Sequence, residues 1–314
     1  VARRGRVSRP RIAGEDVLLT PRIAGEDAFL APASPGEDVL LTPRIAGEDA
    51  FISESHCRAG APIVSVSPMT TLRCDREAIF FMADAHLGMD GTEDRGRVRA
   101  IASFFERVKE TGGALFILGD FFDFWFEYRS VIPSKHFQVL SSMKGLTSAG
   151  VEVSYIGGNH DYWIGGFLRD EIGLRLFNGP VELSAQGLRV YLAHGDGLAQ
   201  RDRVYPVLRG LLHNRLTTAM YRLIHPDLGL PLAAGVSKLS RGVNPDWAPG
   251  DDDLWKIAGA PHFSRGFDAV VLGHIHKPLE ITRGGKSLYV LGDWITRRGY
   301  LLLRDSAFEQ LRWK

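Results

Sequence analysis

Short apolar runs alternate with stretches whose apolar residues recur every three or four positions. "AIFFMAD" (78–84), "ALFILGD" (114–120) and "VEVSYIGG" (151–158) read as strands buried on both faces. Between them, "RVRAIASFFERVKET" (97–111) has apolar residues at 98, 101, 104, 105 and 108, a helical spacing, and 134–150 is also helical. Strands alternating with helices predict βαβ units and a covered sheet. Farther along, "VELSAQGLRVYLAHGD" (181–196) predicts a hairpin leading into a buried strand, "FDAVVLGHIH" (267–276) another buried strand, and "PLEITRGGKSLYVLGDW" (278–294) a second hairpin. The segment 201–241 reads as helical, with apolar residues at 204, 208, 211, 212, 216, 220, 223 and 224 on one stripe, and it predicts an amphipathic cap inserted between strands of the main sheet.

The first 68 residues follow another rule. "RIAGEDVLLTP" (11–21) returns as "RIAGEDAFLAP" (22–32), "ASPGEDVLLTP" (33–43) and "RIAGEDAF" (44–51). Proline every eleven residues interrupts any long helix, and the period matches no common solenoid. We expect 1–68 to be a low-complexity segment without a packed core, lying upstream of a natural start near Met69. The expected globular part is 69–314, with its cap at about 199–260.

Composition narrows the class. The chain has 314 residues, 45% apolar, with a formal charge of +1. It has no apolar run of membrane-spanning length and no apolar h-region in its first residues. Cys57 and Cys74 make no disulfide framework, which leads to the expectation of a cytoplasmic protein. Charge is uneven: Arg201, Arg203, Arg209, Arg215, Arg222, Lys238 and Arg241 against Asp202 and Asp227 give 201–241 seven positives and two negatives, or +5.

Five stretches place metal-ligand residue types directly after a buried strand: "ADAHLG" (83–88), "LGDFFD" (118–123), "GGNHD" (157–161), "LAHGD" (192–196) and "LGHIH" (272–276). Sites in open α/β sheets form at the carboxyl ends of strands, so these loops are expected to converge. They would bring Asp84, His86, Asp120, Asn159, His194, His274 and His276 together. Carboxylate, amide and imidazole without thiolate favour Mn, Fe or Zn.

The order D-x-H, GD-x-x-D, GNH-D, HGD, GH-x-H resembles the calcineurin-like metallophosphoesterases. The resemblance implies an α/β fold, a four-layer αββα sandwich, holding two divalent metal ions, Mn²⁺ foremost. It implies one metal on Asp84, His86, Asp120 and His276, and the other on Asn159, His194, His274 and a bridging Asp120. Such a pair polarises a phosphoryl group and activates water. His160 would contact the phosphate or leaving group as a catalytic residue, with Asp161 orienting it.

Stretches 119–137, 194–214 and 225–241 further resemble the UDP-2,3-diacylglucosamine diphosphatases of lipid A synthesis. That branch implies a UDP-linked, doubly acylated glucosamine as substrate, cleaved to UMP and 2,3-diacylglucosamine 1-phosphate. Asp202, Tyr205, Ser237, Lys238 and Arg241 would bind it. The basic cap would rest peripherally on an anionic membrane. Members of the branch carry Arg where this chain has His160, which bears on how the phosphate is held. The alternatives are a phosphoesterase for another phosphodiester or nucleotide, a non-catalytic scaffold, and nucleic-acid binding. The scaffold reading predicts lost ligands, whereas all seven positions are filled. Two cap tyrosines, Tyr205 and Tyr221, make no stacking platform, so no nucleic-acid partner is expected.

Overall fold

The computed structural model describes residues 69–89, 94–198, 214–241 and 249–314. The repeats of 1–68, and Asp202 and Tyr205, lie outside the described residues.

Among the described residues, twelve strands form two six-stranded mixed sheets. They are β1 (Thr70–Arg73), β2 (Ala78–Met82), β3 (Ala114–Leu118), β4 (Glu152–Ile156), β5 (Arg175–Phe177), β6 (Val181–Ala185), β7 (Leu188–Ala193), β8 (Ala269–Leu272), β9 (Leu279–Arg283), β10 (Lys286–Val290), β11 (Gly299–Arg304) and β12 (Ala307–Arg312). The first sheet runs β12-β11-β2-β3-β4-β5 and the second β1-β6-β7-β8-β10-β9. β2 to β5 pair in parallel, with Phe80 opposite Leu115 and Leu115 opposite Val153. β7, β8 and β10 are likewise parallel, so the carboxyl ends of the central strands share one edge in each sheet.

Alternation along the strands builds the layers, because successive side chains leave opposite faces. In β2, Phe80 and Met82 join Phe104, Phe105, Val108, Val139 and Met143 beneath helices α1 (Asp94–Glu110) and α2 (Phe137–Ser148). Ile79 and Phe81 face the other way, meeting Leu183, Val190, Leu192 and Val271 between the sheets. On the second sheet's outer face, Val270, Leu272, Leu288 and Val290 pack on Leu254 and Ala258. Those two belong to a helical run made of Asp251–Leu254, a wider π-type turn Trp255–Gly259, and Ala260–Phe263. The result is the expected αββα layering.

Two expectations about the cap change. Residues 251–260 are the sandwich's outer layer rather than cap, because Leu254 and Ala258 are core residues. The single amphipathic stripe is also broken: one helix, Arg215–Tyr221, ends before Pro226, and a second, Pro226–Arg241, begins there. Pro226 fits that first helical turn, and the second helix also carries Pro231 in its interior, where proline removes one backbone donor. Leu216, Met220 and Leu223 are 66%, 62% and 87% exposed, so this part of the stripe faces solvent instead of a core. Tyr221 does the anchoring, packing on Phe126 and Trp163 with ring centroids 4.6 and 5.8 Å away.

Candidate metal centre

The seven expected ligands follow the carboxyl ends of β2, β3, β4, β7 and β8, and the fold brings them together. In one group, the Nε2 atoms of His86 and His276 lie 3.1 Å apart, and His276 Nε2 is 3.5 Å from Asp84 Oδ1. In the other, His194 Nε2 lies 3.0 Å from Asn159 Oδ1, 3.2 Å from His274 Nδ1 and 3.3 Å from Asp120 Oδ2. That same Asp120 oxygen is 3.7 Å from His86 Nε2, so one carboxylate stands between the groups. Two ligands at right angles, each about 2.1 Å from a metal, sit about 3 Å apart, and these separations suit such an arrangement. Asp84, His86 and His276, and separately Asp120, His194 and His274, each place ligand atoms within 4.8 Å of one another.

The loops that hold them are unusual. Asp84, His86, Asp120, His274 and His276 all have positive φ, between 43° and 71°. Side-chain-bearing residues rarely adopt this conformation, and each such residue costs about 1–3 kcal/mol unless its surroundings enforce it. Here the enforcement is visible. Arg97, on the buried face of α1, donates to the carbonyls of Ala85 and His86 at 3.2 and 3.1 Å, while Asp94 accepts from the Gly88 amide at 2.8 Å. His274 N donates to Asp84, with 2.9 Å to Oδ2. His194 Nδ1 lies 2.8 Å from the Leu118 carbonyl oxygen, which fixes the proton there and turns Nε2 to the site.

Electrostatics separate the two buried carboxylates. Burial pushes Asp84 up to about 7, helped by neighbouring Asp120. Burial acts the same way on Asp120, but His194, His160 and His86 outweigh it and hold that carboxyl well below its usual range. His194 is raised well above an ordinary imidazole: burial opposes its charge, yet Asp120 and Asp84 overcome it. His274 and His276 are pushed down to about 4, mainly by burial. Carboxylate, amide and imidazole groups packed this densely are the chemistry that binds divalent cations, whose binding would displace the protons that His194 and Asp84 hold.

Residues 78–278 match the family model for the calcineurin-like phosphoesterases. The chain belongs to that family. Among relatives, this phosphoesterase is 32% identical over 244 residues to a UDP-2,3-diacylglucosamine hydrolase of Porphyromonas gingivalis, covering 72% of this chain and 93% of that protein. Over 257 residues it is 31% identical to a Ralstonia nicotianae protein of the same name, covering 73% and 90%. A third, from Pseudomonas paraeruginosa, is 30% identical over 244 residues, covering 73% and 95%.

Two residues around His160 depart from expectation. Asp161 does not orient it. Its buried carboxylate accepts from the backbone amides of Phe121, Gly158, Phe122 and Asp120 at 2.7, 2.8, 3.1 and 3.2 Å, and from the Tyr155 hydroxyl. Five donors on one carboxylate tie the loop after β3 to the loop after β4, so Asp161 positions Asp120. The residue facing His160 is Asp123, which the sequence reading passed over as a site residue. His160 Nδ1 lies 3.1 Å from the Asp123 carbonyl oxygen and 3.8 Å from its carboxylate, and His86 Nδ1 is 3.6 Å from that same carboxylate oxygen. The available signal was its place in the GD-x-x-D spacing. The His160 amide also donates to Asp120 Oδ1 at 2.9 Å. Ser237, Lys238 and Arg241 fall at the end of the helix Pro226–Arg241.

Proposed function

We propose that this phosphoesterase hydrolyses the diphosphate of UDP-2,3-diacylglucosamine. Water adds to the α-phosphorus, UMP is formed and 2,3-diacylglucosamine 1-phosphate leaves. The observation that carries the reading is Asp120 Oδ2 set between two buried ligand groups, beside a helical cap. The named relatives, matched over nine-tenths or more of their length, supply the substrate.

Asp84, His86, His276 and Asp120 would hold one divalent ion, and Asn159, His194, His274 and Asp120 the other, with Mn²⁺ the preferred metal. When bound, the pair supplies Lewis-acid polarisation of the phosphoryl oxygens and a water of lowered pKa. The chain's own residues do the rest. Asp161 and Arg97 hold the ligand loops in left-handed conformations that relax without them. The backbone carbonyl of Asp123 receives Nδ1 of His160, so Nε2 is the ring nitrogen that meets the phosphate or leaving group. Asp202, Tyr205, Ser237, Lys238 and Arg241 are assigned to the substrate's head group.

No helix among the described residues is long and apolar enough to cross a membrane. A peripheral seat at the cytoplasmic face is proposed instead. Its support is the +5 charge of 201–241 together with exposed Leu216, Met220, Leu228 and Leu232 on the cap helices and Leu223 in the turn between them. The test is UMP release by the Mn²⁺-loaded chain from UDP-2,3-diacylglucosamine, set against UDP-glucosamine and simple phosphodiesters. Cleavage that ignores the acyl chains would overturn the assignment.

A further inference from the structure

A cavity of about 270 Å³ opens beside His194. It lies between the carboxyl ends of β7 and β8, the loop after β5, and the helical outer layer, and is lined among others by Asn178, Tyr191, Asp196, Ala258, His262 and Leu272. It shares no residue with the aromatic cluster of Phe124, Phe126, Trp163 and Tyr221 that seats the cap helices.

The lining decides what the cavity takes. Among the described residues its lining has no Lys or Arg and one carboxylate, Asp196, so these side chains offer no cation to a phosphate. One wall is aromatic: the Tyr191 and His262 rings stack with centroids 3.6 Å apart and planes 24° from parallel. Leu272, Ala258 and Ile156 add apolar surface. The Asn178 amide can both donate and accept, and a carboxylate accepts from an imide N–H or a ribose hydroxyl. The Nδ1 of His262 is buried with no hydrogen-bond partner among the described residues. A slot of apolar and aromatic surface with a few polar groups is the usual form of a small-molecule site. Its volume, below the roughly 300–1,000 Å³ of drug-sized pockets, fits a single-ring nucleoside.

We infer that this cavity is the nucleoside subsite, binding the pyrimidine and ribose of the UMP half while the acylated sugar extends towards the cap. This rests on the hydrolase reading above. The experiment uses the full Mn²⁺-loaded chain, irradiated with 4-thiouridine 5′-monophosphate and mapped by peptide mass spectrometry. The expected result is a UMP-protected label on peptides carrying Asn178, Tyr191–Leu198 or His262. Asn178→Ala is expected to weaken UMP inhibition of bis(p-nitrophenyl) phosphate hydrolysis about tenfold, as for one lost buried hydrogen bond. A protected label confined to 214–241, or no protected label, overturns the inference. If the label lands in the cavity but the acylated UDP-sugar is not cleaved, the substrate reading fails and the subsite stands. If that substrate is cleaved and the label lies elsewhere, the subsite fails alone.

Discussion

His160 shows how far single residues can be read. Its neighbour Asn159 and the strand before it announce a site, yet the partner that matters, Asp123, lies 37 residues away in sequence. Asp123 faces His86 and His160 with one carboxylate, the place of an outer partner that orients a candidate metal ligand and the histidine beside it. Asp123→Asn is therefore expected to lower kcat about 10–100-fold, with KM changed little, which steady-state kinetics at saturating Mn²⁺ will show. Asp84 makes a prediction about the metal-free protein. Its folded pKa, about 7, exceeds the ordinary value of 3.8, so the folded state binds the extra proton between them. That contribution to stability is fully present below about pH 4 and is lost as pH rises through about 7. Chelated protein should thus lose less Tm between those pH values after Asp84→Asn, measured by calorimetry. An unchanged slope would mean that Asp84 does not carry the proton.

The elements explain which parts of the fold were legible. The buried strands β2, β3, β4 and β8, and helices α1 and α2, carry long apolar runs or clear helical spacing, and both internal hairpins were visible. The strands β1 and β5, of four and three residues, are too short to show a period. The hairpin β11–β12 went unread, because "YLLL" lacks alternation and its pairing with β2 and β12 is what marks it as a strand. The cap misled in a physical way: periodicity reports a potential apolar face, not what covers it. The loops between elements make the sharpest prediction at this scale. Gly119 has φ +82°, and an added Cβ would lie 2.5 Å from His194 Nδ1 and 2.7 Å from Gly158 Cα. Gly119→Ala should lower Tm and weaken Mn²⁺ uptake together, by calorimetry and metal titration. Asp161→Ala strands five donors, each costing about 1–3 kcal/mol when buried unpaired, and should unfold much of the protein at 37 °C by circular dichroism.

At the scale of the whole molecule, the parallel strand ends of both sheets bring seven candidate ligands together, and the described cap residues include exposed Leu216, Met220, Leu223, Leu228 and Leu232. That arrangement joins a water-soluble reaction to a lipid substrate. Leu223→Asp combined with Leu228→Asp should cut binding to vesicles containing anionic lipid while leaving hydrolysis of small phosphodiesters intact, as co-sedimentation and a colorimetric assay will report. The central claim is that Asp120, shared by two ligand groups, organises hydrolysis of a UDP-linked acylated sugar. Its most direct test is UMP release from UDP-2,3-diacylglucosamine by the Mn²⁺-loaded chain and its Asp120→Ala variant. The account predicts turnover by the former and a loss of at least about 10³-fold in the latter, the order seen when a group central to charge stabilisation is removed. No UMP from the parent chain, or near-parental release by Asp120→Ala, would contradict it.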